Sequence, residues 1–269
     1  MTGIAIGLVL LAAVFHAAWN VRLKEAANPL GLAAQAIPVG TVVAAPAVLK
    51  LWLAGGRPGL SGLGWVLVGT SVLLELAYLH LLSAAYVRGD VSSVYPVARG
   101  TAPLLAVTVG LVLFREQLDW IQLGGILSLL AGIWLVRPPR GRRASLGLAL
   151  LTGVCIAAYT AIDSRGVRLG PFWLYSWLVF AGLSLALVPF RGVRLRGAPA
   201  VGVLIVASYF LVLAALSFSP LALVAPLRES GVVLVALWGV LRLGEREGVW
   251  LKLTGAAAVV AGAVLLTVG

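Results

Sequence analysis

Charge is what this chain has least of. Its 269 residues hold nine Asp and Glu against twenty Lys and Arg, and charged residues of both signs make up only 11% of the sequence. Soluble domains carry about a quarter. A soluble fold would leave this chain short of polar surface, and an apolar soluble α/β protein would need polar loops that the sequence does not contain. Cysteine occurs once, at Cys155. That excludes an intramolecular disulfide and a cysteine-based metal site, and in its apolar run the residue reads as a small buried hydrophobe. Histidine occurs twice, and no HExxH, metal-ligand cluster or Ser-His-Asp arrangement is present. The chain therefore predicts no cofactor, no metal and no enzyme chemistry. There is no GxxxxGK[ST] and no connection longer than about ten residues, so a nucleotide-binding module does not fit.

What the chain has in abundance is apolar sequence, at 61% of all residues. A helix needs roughly 20 apolar residues to cross a bilayer. Measured against that length, the spans fall at 3–21, 30–52, 64–86, 91–113, 119–136, 145–164, 171–190, 200–217, 220–241 and 249–268. Asn28-Pro29, Arg88-Gly89-Asp90, Gly170-Pro171 and Ser219-Pro220 are among the breaks between them. Met1-Thr2-Gly3 gives no basic n-region, so the first apolar run reads as a retained helix rather than a signal peptide. The expected fold is an all-α membrane protein of about ten helices, multi-pass in the inner or plasma membrane.

The net charge of +11 would suggest nucleic acid in a soluble protein. Here the basic residues lie in short gaps between apolar runs, with no basic block interleaved with aromatics. They set topology and meet anionic lipid headgroups, and no nucleic-acid partner is expected. Odd-numbered connections carry twelve Lys and Arg and even-numbered ones five. The positive-inside rule then puts both termini outside.

The two halves echo each other. Ala84-Ala85, Pro96, Arg99, Trp120, Gly125 and Gly132 recur 130 positions later as Ala214-Ala215, Pro226, Glu229, Trp250, Gly255 and Gly262. Five helices per half force the second half to enter the membrane from the opposite side, which makes an inverted repeat. The division is 1–137 and 145–269, joined by a basic linker at 138–144.

Ionisable groups inside spans cost about 2.5–3.5 kcal/mol each. The informative ones are Glu75 in the third span, Arg99 in the fourth, and Arg228 and Glu229 in the ninth. Two positive and two negative groups sum to zero, which predicts pairing, most simply of Arg99 with Glu75 or Glu229. The alternatives are a buried strut that fixes helix register and a substrate or proton site between the halves. His16, Trp19 and Asn20 share one helical face, and Tyr78, Tyr95, Tyr159 and Tyr209 offer amphipathic rings at similar depth. His80 reads as a packing residue. Pro96 and Pro226, at matched positions, each remove a backbone hydrogen bond and read as hinges or cavity walls. Gly124, Ser128 and Gly132 form a small-residue stripe for helix packing. Asp163 stands alone near the end of its span, and is a candidate to face the cavity from the sixth helix.

In order, these landmarks resemble the EamA family of the drug/metabolite transporter superfamily. The family's sparse pattern reads Ala84-Ala85, Pro96, Glu116, Gly124-Gly125 and Gly132 in the first half. In the second it reads Ala214-Ala215, Pro226, Glu245, Gly255 and Gly262, with Glu245 one residue out of register. The first helix, His16-Ala17-Ala18-Trp19-Asn20 followed by Lys24, looks like a variant found in one branch. The resemblance implies two inverted five-helix repeats around a cavity lined by helices one, three, four, six, eight and nine. It also implies export or exchange of small metabolites, amino acids or similar polar or aromatic compounds. It implies cytoplasmic termini, opposite to the charge count.

The expected function is thus secondary transport by alternating access. The partners are a small-molecule substrate and membrane lipid, with a proton as candidate coupling ion. Glu75 and the Arg99/Glu229 pair would bind substrate or proton, while His16, Trp19, Asn20, Arg228 and the tyrosines shape the pocket. The alternatives are a flippase of lipid-linked sugars and a non-transporting membrane enzyme or scaffold.

Overall fold

The computed structural model describes residues 2–88, 91–136, 143–192, 197–231, 233 and 249–268. The side chains at 24–25, 86–87, 91–96, 136, 143–145, 249, 252 and 267 also lie outside the described residues. The described chain is helical, in ten α-helices: α1 (Gly3–Glu25), α2 (Pro29–Ala54), α3 (Gly62–Arg88), α4 (Val91–Val112), α5 (Trp120–Val136), α6 (Arg143–Gly166), α7 (Phe172–Ala186), α8 (Ala198–Leu216), α9 (Leu221–Arg228) and α10 (Val249–Val268). Five of them are long and apolar enough to cross a membrane: α1, α2, α3, α6 and α8. Exposed Leu, Val, Ile and Trp cover their outer faces, which suits contact with lipid tails and not with water.

Local chemistry sets the helix starts. Asn28 accepts the Gly31 N–H at 2.9 Å ahead of Pro29. Asp119 accepts the Gln122 N–H at 2.7 Å while Gln122 accepts the Asp119 N–H at 3.2 Å. That reciprocal capping box opens α5. Pro171 and Pro220 stand just before α7 and α9. In α7 the helix ends at Ala186 and a 3₁₀ turn, Val188–Phe190, follows around Pro189, so the helix is shorter than the 171–190 span expected.

The ninth span differs more. A continuous helix over 220–241 was expected, but α9 ends at Arg228 and the chain turns at Glu229 and Ser230 before Gly231 is helical again. Pro226 has no N–H to give, the Glu229 N–H drops back to the Pro226 carbonyl at 3.0 Å, and the Ser230 N–H to Leu227 at 3.1 Å. Three-residue spacing of this kind tightens and ends an α-helix. Gly231 then lets the turn press against α1, where a Cβ would lie 2.7 Å from the Ala13 carbonyl oxygen. The matched helix α4 runs unbroken past Arg99. Apart from Val233, the rest of the ninth span lies outside the described residues, as do residues 138–142 of the expected 138–144 linker, whose last two residues begin α6, and Arg194, Arg196, Arg242, Glu245 and Arg246.

Packing runs between the halves. The strongest pairings are α5 with α10, α3 with α6, α2 with α8, α4 with α6 and α1 with α8. Several contacts join positions separated by the 130-residue offset itself. The Ser128 hydroxyl donates to the Ala258 carbonyl at 2.8 Å, and Arg99 Nη1 lies 3.3 Å from Glu229 Oε1. Around Ser128, Gly125 faces Gly262 and Gly132 faces Gly255, backbone against backbone. The packing stripe is therefore Gly125–Ser128–Gly132. Gly124, expected in it, meets nothing within 4 Å, because it sits 100° further round the helix from Gly125.

Candidate functional site

A cavity with an empty volume of about 670 Å³, mouth included, lies in the middle of the bundle. α1 contributes His16 and Trp19, α3 Glu75 and Tyr78, α6 Tyr159, α7 Phe180, α8 Ser208 and Tyr209, and α9 Arg228. α2 also lines it, through Ala33 and Ile37. The expected lining of helices one, three, four, six, eight and nine needs correction. α2 and α7 join it, and α4 is not among the lining elements described, because α4 spends its inner face on α6 and α9.

Aromatic rings form much of the wall. Tyr78 meets Tyr159 edge-on with centroids 6.0 Å apart, Phe180 meets Tyr209 at 4.7 Å, and His16 meets Trp19 at 4.6 Å. Such edge-to-face pairs hold rings in fixed orientation. Two polar atoms on this wall are buried and unbonded: His16 Nε2 and Trp19 Nε1. Either nitrogen can hydrogen-bond a molecule bound in the cavity. The Asn20 amide is occupied. It donates to the His16 carbonyl at 2.7 Å, one turn back on the same helix.

Charge is arranged on two sides. Glu229 Oε1 accepts from Arg99 Nη1 and from Arg228 Nε and Nη2, each at 3.3 Å. All three residues are at least nine-tenths buried. Of the two partners offered by sequence for Arg99, the structure selects Glu229. Arg228 reaches the cavity and is its cationic edge. Glu75 faces the cavity from α3, 7% exposed, with no ion-pair partner among the described residues. Pro226 sits in α9 one turn before the break. Tyr95 and Pro96 belong to α4, and their side chains lie outside the described residues. His80 bonds the Leu76 carbonyl at 2.8 Å and stacks edge-on against Phe190, away from the cavity.

Two residues take partners in the fold that the sequence reading did not foresee. Asp163, isolated in its span, is 1% exposed. It accepts the Tyr175 hydroxyl at 3.0 Å and the Tyr209 hydroxyl at 2.8 Å, and Tyr209 is itself a cavity residue. Only the tertiary fold brings α6, α7 and α8 to one point, so no local pattern announces this triad. Glu116 is the second. Its two carboxylate oxygens accept the Leu221 and Ala222 N–H groups at 2.8 Å each. It thereby caps α9 from the α4–α5 connection, where orphan N–H groups favour an anion. Beside it the Arg165 guanidinium lies 3.9 Å above the Phe114 ring, and Arg168 donates to the Ser219 carbonyl at 3.1 Å. Three connections are thus tied together on one face of the bundle.

A helical bundle with several membrane-length helices and a largely apolar cavity that carries a few charged and polar groups is a multi-pass membrane protein. Which kind is settled by sequence comparison. The model of the EamA-like transporter family matches residues 3–137, half of the chain, and the chain belongs to that family. It is a membrane transporter of the drug/metabolite transporter type, and the family's members are transporters rather than enzymes. No curated protein matches the sequence. One solved crystal structure of a protein, 21% identical, superposes with a TM-score of 0.75 over 98% of this chain and 96% of its own. At that identity the likeness speaks for the fold.

Proposed function

We propose that this protein is a secondary transporter of the inner or plasma membrane that exports or exchanges small metabolites by alternating access around the central cavity. The chain divides at the linker 138–144 into two five-helix repeats of opposite orientation, 1–137 and 145–269, and the substrate sits between them. The observation that carries this reading is the convergence on one cavity of Glu75, Arg228 and the unbonded His16 and Trp19 nitrogens. An acidic edge, a cationic edge and aromatic walls suit amino acids or similar polar, aromatic compounds. Glu75 is the candidate proton carrier.

The flippase reading draws on a second, wholly apolar groove between α2, α7 and α8. Gly40 and Gly202 touch backbone to backbone beside it, so a lipid-linked substrate would need that seam to part. The metabolite reading needs no such opening.

The test is a thermal-shift screen of purified protein against amino acids, nucleosides, sugars and quaternary amines, followed by flux of each hit into liposomes. A ligand at 100 times its Kd stabilises by about 2.7 kcal/mol. A true substrate stabilises wild type, loses that effect in Trp19→Phe and Glu75→Gln, and crosses the liposome membrane. Hits that stabilise these variants equally would remove the cavity from the mechanism.

A further inference from the structure

Among the described residues the buried charges do not balance. Deep in the bundle, the described side chains include two arginines, Arg99 and Arg228, and three carboxyls, Glu75, Asp163 and Glu229, all more than nine-tenths buried. Glu229 takes both arginines. Glu75 and Asp163 have no ion-pair partner among the described residues. Counted as ions, the five groups carry one surplus negative charge, and a low-dielectric interior does not hold an unmatched ion.

The two unmatched carboxyls belong to one place. Glu75 lines the cavity together with Tyr209, whose hydroxyl bonds Asp163 at 2.8 Å, and α3 packs against α6. One turn before Glu75 on α3, Ser71 is 0% exposed. Its hydroxyl has no hydrogen-bond partner among the described residues. The other titratable or charged groups at this place are Tyr78 on α3, Tyr159 on α6, Tyr175 from α7, Tyr209 from α8, and Arg228 from α9. Arg99 on α4 is held by Glu229. His16, on α1, sits beside Arg99 and Arg228, where one more positive charge would meet two others.

We propose that Glu75 and Asp163, with the Tyr209 hydroxyl held on Asp163, form a site for one proton. The donor set favours a proton over a hard metal cation. It consists of two carboxyls, on α3 and α6, and the Tyr209 hydroxyl on α8; α3 and α6 are unbroken at these positions and free no carbonyl, whereas calcium or magnesium takes six or more oxygens. Among the described residues no group of three or more His, Cys, Asp or Glu could hold a metal. Asp163 lies three residues from the end of α6, two residues before the exposed Arg165. The pair therefore reaches from the cavity to within a helical turn of the face that Glu116 and Arg168 tie down. The ring of Tyr175 is seated over Gly166, which fixes its hydroxyl on Asp163. The site deepens the transport reading by adding a second residue to its proton step.

The test needs no substrate. The infrared band of protonated carboxyl groups is titrated in purified wild type, Glu75→Gln, Asp163→Asn and Tyr209→Phe, each checked for an unchanged elution profile. Wild type should release one proton per chain from this band. Glu75→Gln and Asp163→Asn should each abolish that release, since either leaves two carboxyls to match two arginines. Tyr209→Phe, which alters no charge, should keep the proton and displace its midpoint. A full release persisting in Asp163→Asn would overturn the proposal, as would a midpoint that moves when sodium replaces choline at constant ionic strength. A failure to find flux would count against transport alone, because this band reports on the site whether or not the protein carries a substrate.

Discussion

Two glycines eight residues apart on α5 should respond in opposite ways to the same added methyl group. A Cβ at Gly132 would lie 2.6 Å from the Gly255 carbonyl oxygen and 2.8 Å from the Val259 nitrogen. Both are backbone atoms, so no rotamer change relieves them. Ordinary contact begins at 3.4 Å, and α5 must move away from α10 by the difference. Overpacking of this kind costs about 1–3 kcal/mol. The shift also stretches the neighbouring Ser128 bond to Ala258, now 2.8 Å, and interhelical bonds in membranes average about 0.6 kcal/mol. For a soluble chain of 150–250 residues, 1 kcal/mol moves Tm by roughly 2–4 °C. Gly132→Ala should therefore lower Tm in detergent by several degrees. Gly124→Ala meets nothing within 4 Å and should be neutral or gain up to about 1 kcal/mol, since Ala forms helix better than Gly. Tryptophan fluorescence on heating reads both. Equal tolerance of the two substitutions, or a larger loss at Gly124, would refute the assigned α5–α10 face.

Glu116→Gln should leave one of the Leu221 and Ala222 N–H groups without an acceptor, at about 1 kcal/mol. Hydrogen exchange at those two amides should accelerate while α5 stays protected. Glu229→Gln should be far worse than the charge count suggests. Removing the carboxylate that Arg99 and Arg228 share in the interior costs about 3–5 kcal/mol, whereas Arg99→Met combined with Glu229→Gln should recover part of that loss in a double-mutant thermal cycle. Trp177→Phe removes the bond from its indole nitrogen to the Thr41 carbonyl at 3.1 Å. It should lower Tm by only a degree or two and leave ligand stabilisation intact, since Trp177 does not line the cavity.

Sequence carried the fold well because its signals are physical and local. Apolar length finds a span, and Asn-Pro or Ser-Pro ends one, so nine of the ten span positions fall within a few residues of a helix described here. The sum of the mid-span charges went further, since it offered Glu75 or Glu229 as the partner of Arg99, and Arg99 does meet Glu229. The break after Arg228 was missed because Pro226 signals a hinge equally well in a bent helix and a broken one; its twin Pro96 belongs to a helix that continues. The partners of Asp163 were hidden for a different reason. Its meaning lies in Tyr175 and Tyr209, 12 and 46 residues away, and nothing in the spacing of three helices reveals that they converge. Glu116 was noticed as part of a pattern, but its task, capping a helix more than 100 residues later, belongs to tertiary structure.

The pairing of Arg99 with Glu229 has a consequence in symmetry. When two repeats related by a two-fold axis trade conformations, as the proposed cycle requires, any contact between a residue and its own counterpart maps onto itself. It sits on the axis and survives the exchange, like the pin of a pair of scissors. A contact between non-counterparts maps onto a different contact, so one forms as the other parts. Arg99–Glu229 and Ser128–Ala258 are of the first sort, and Glu116 on the start of α9 is of the second. The buried ion pair is then a pivot that both halves turn about, and the carboxylate at the surface is the fastening that a full turn must undo.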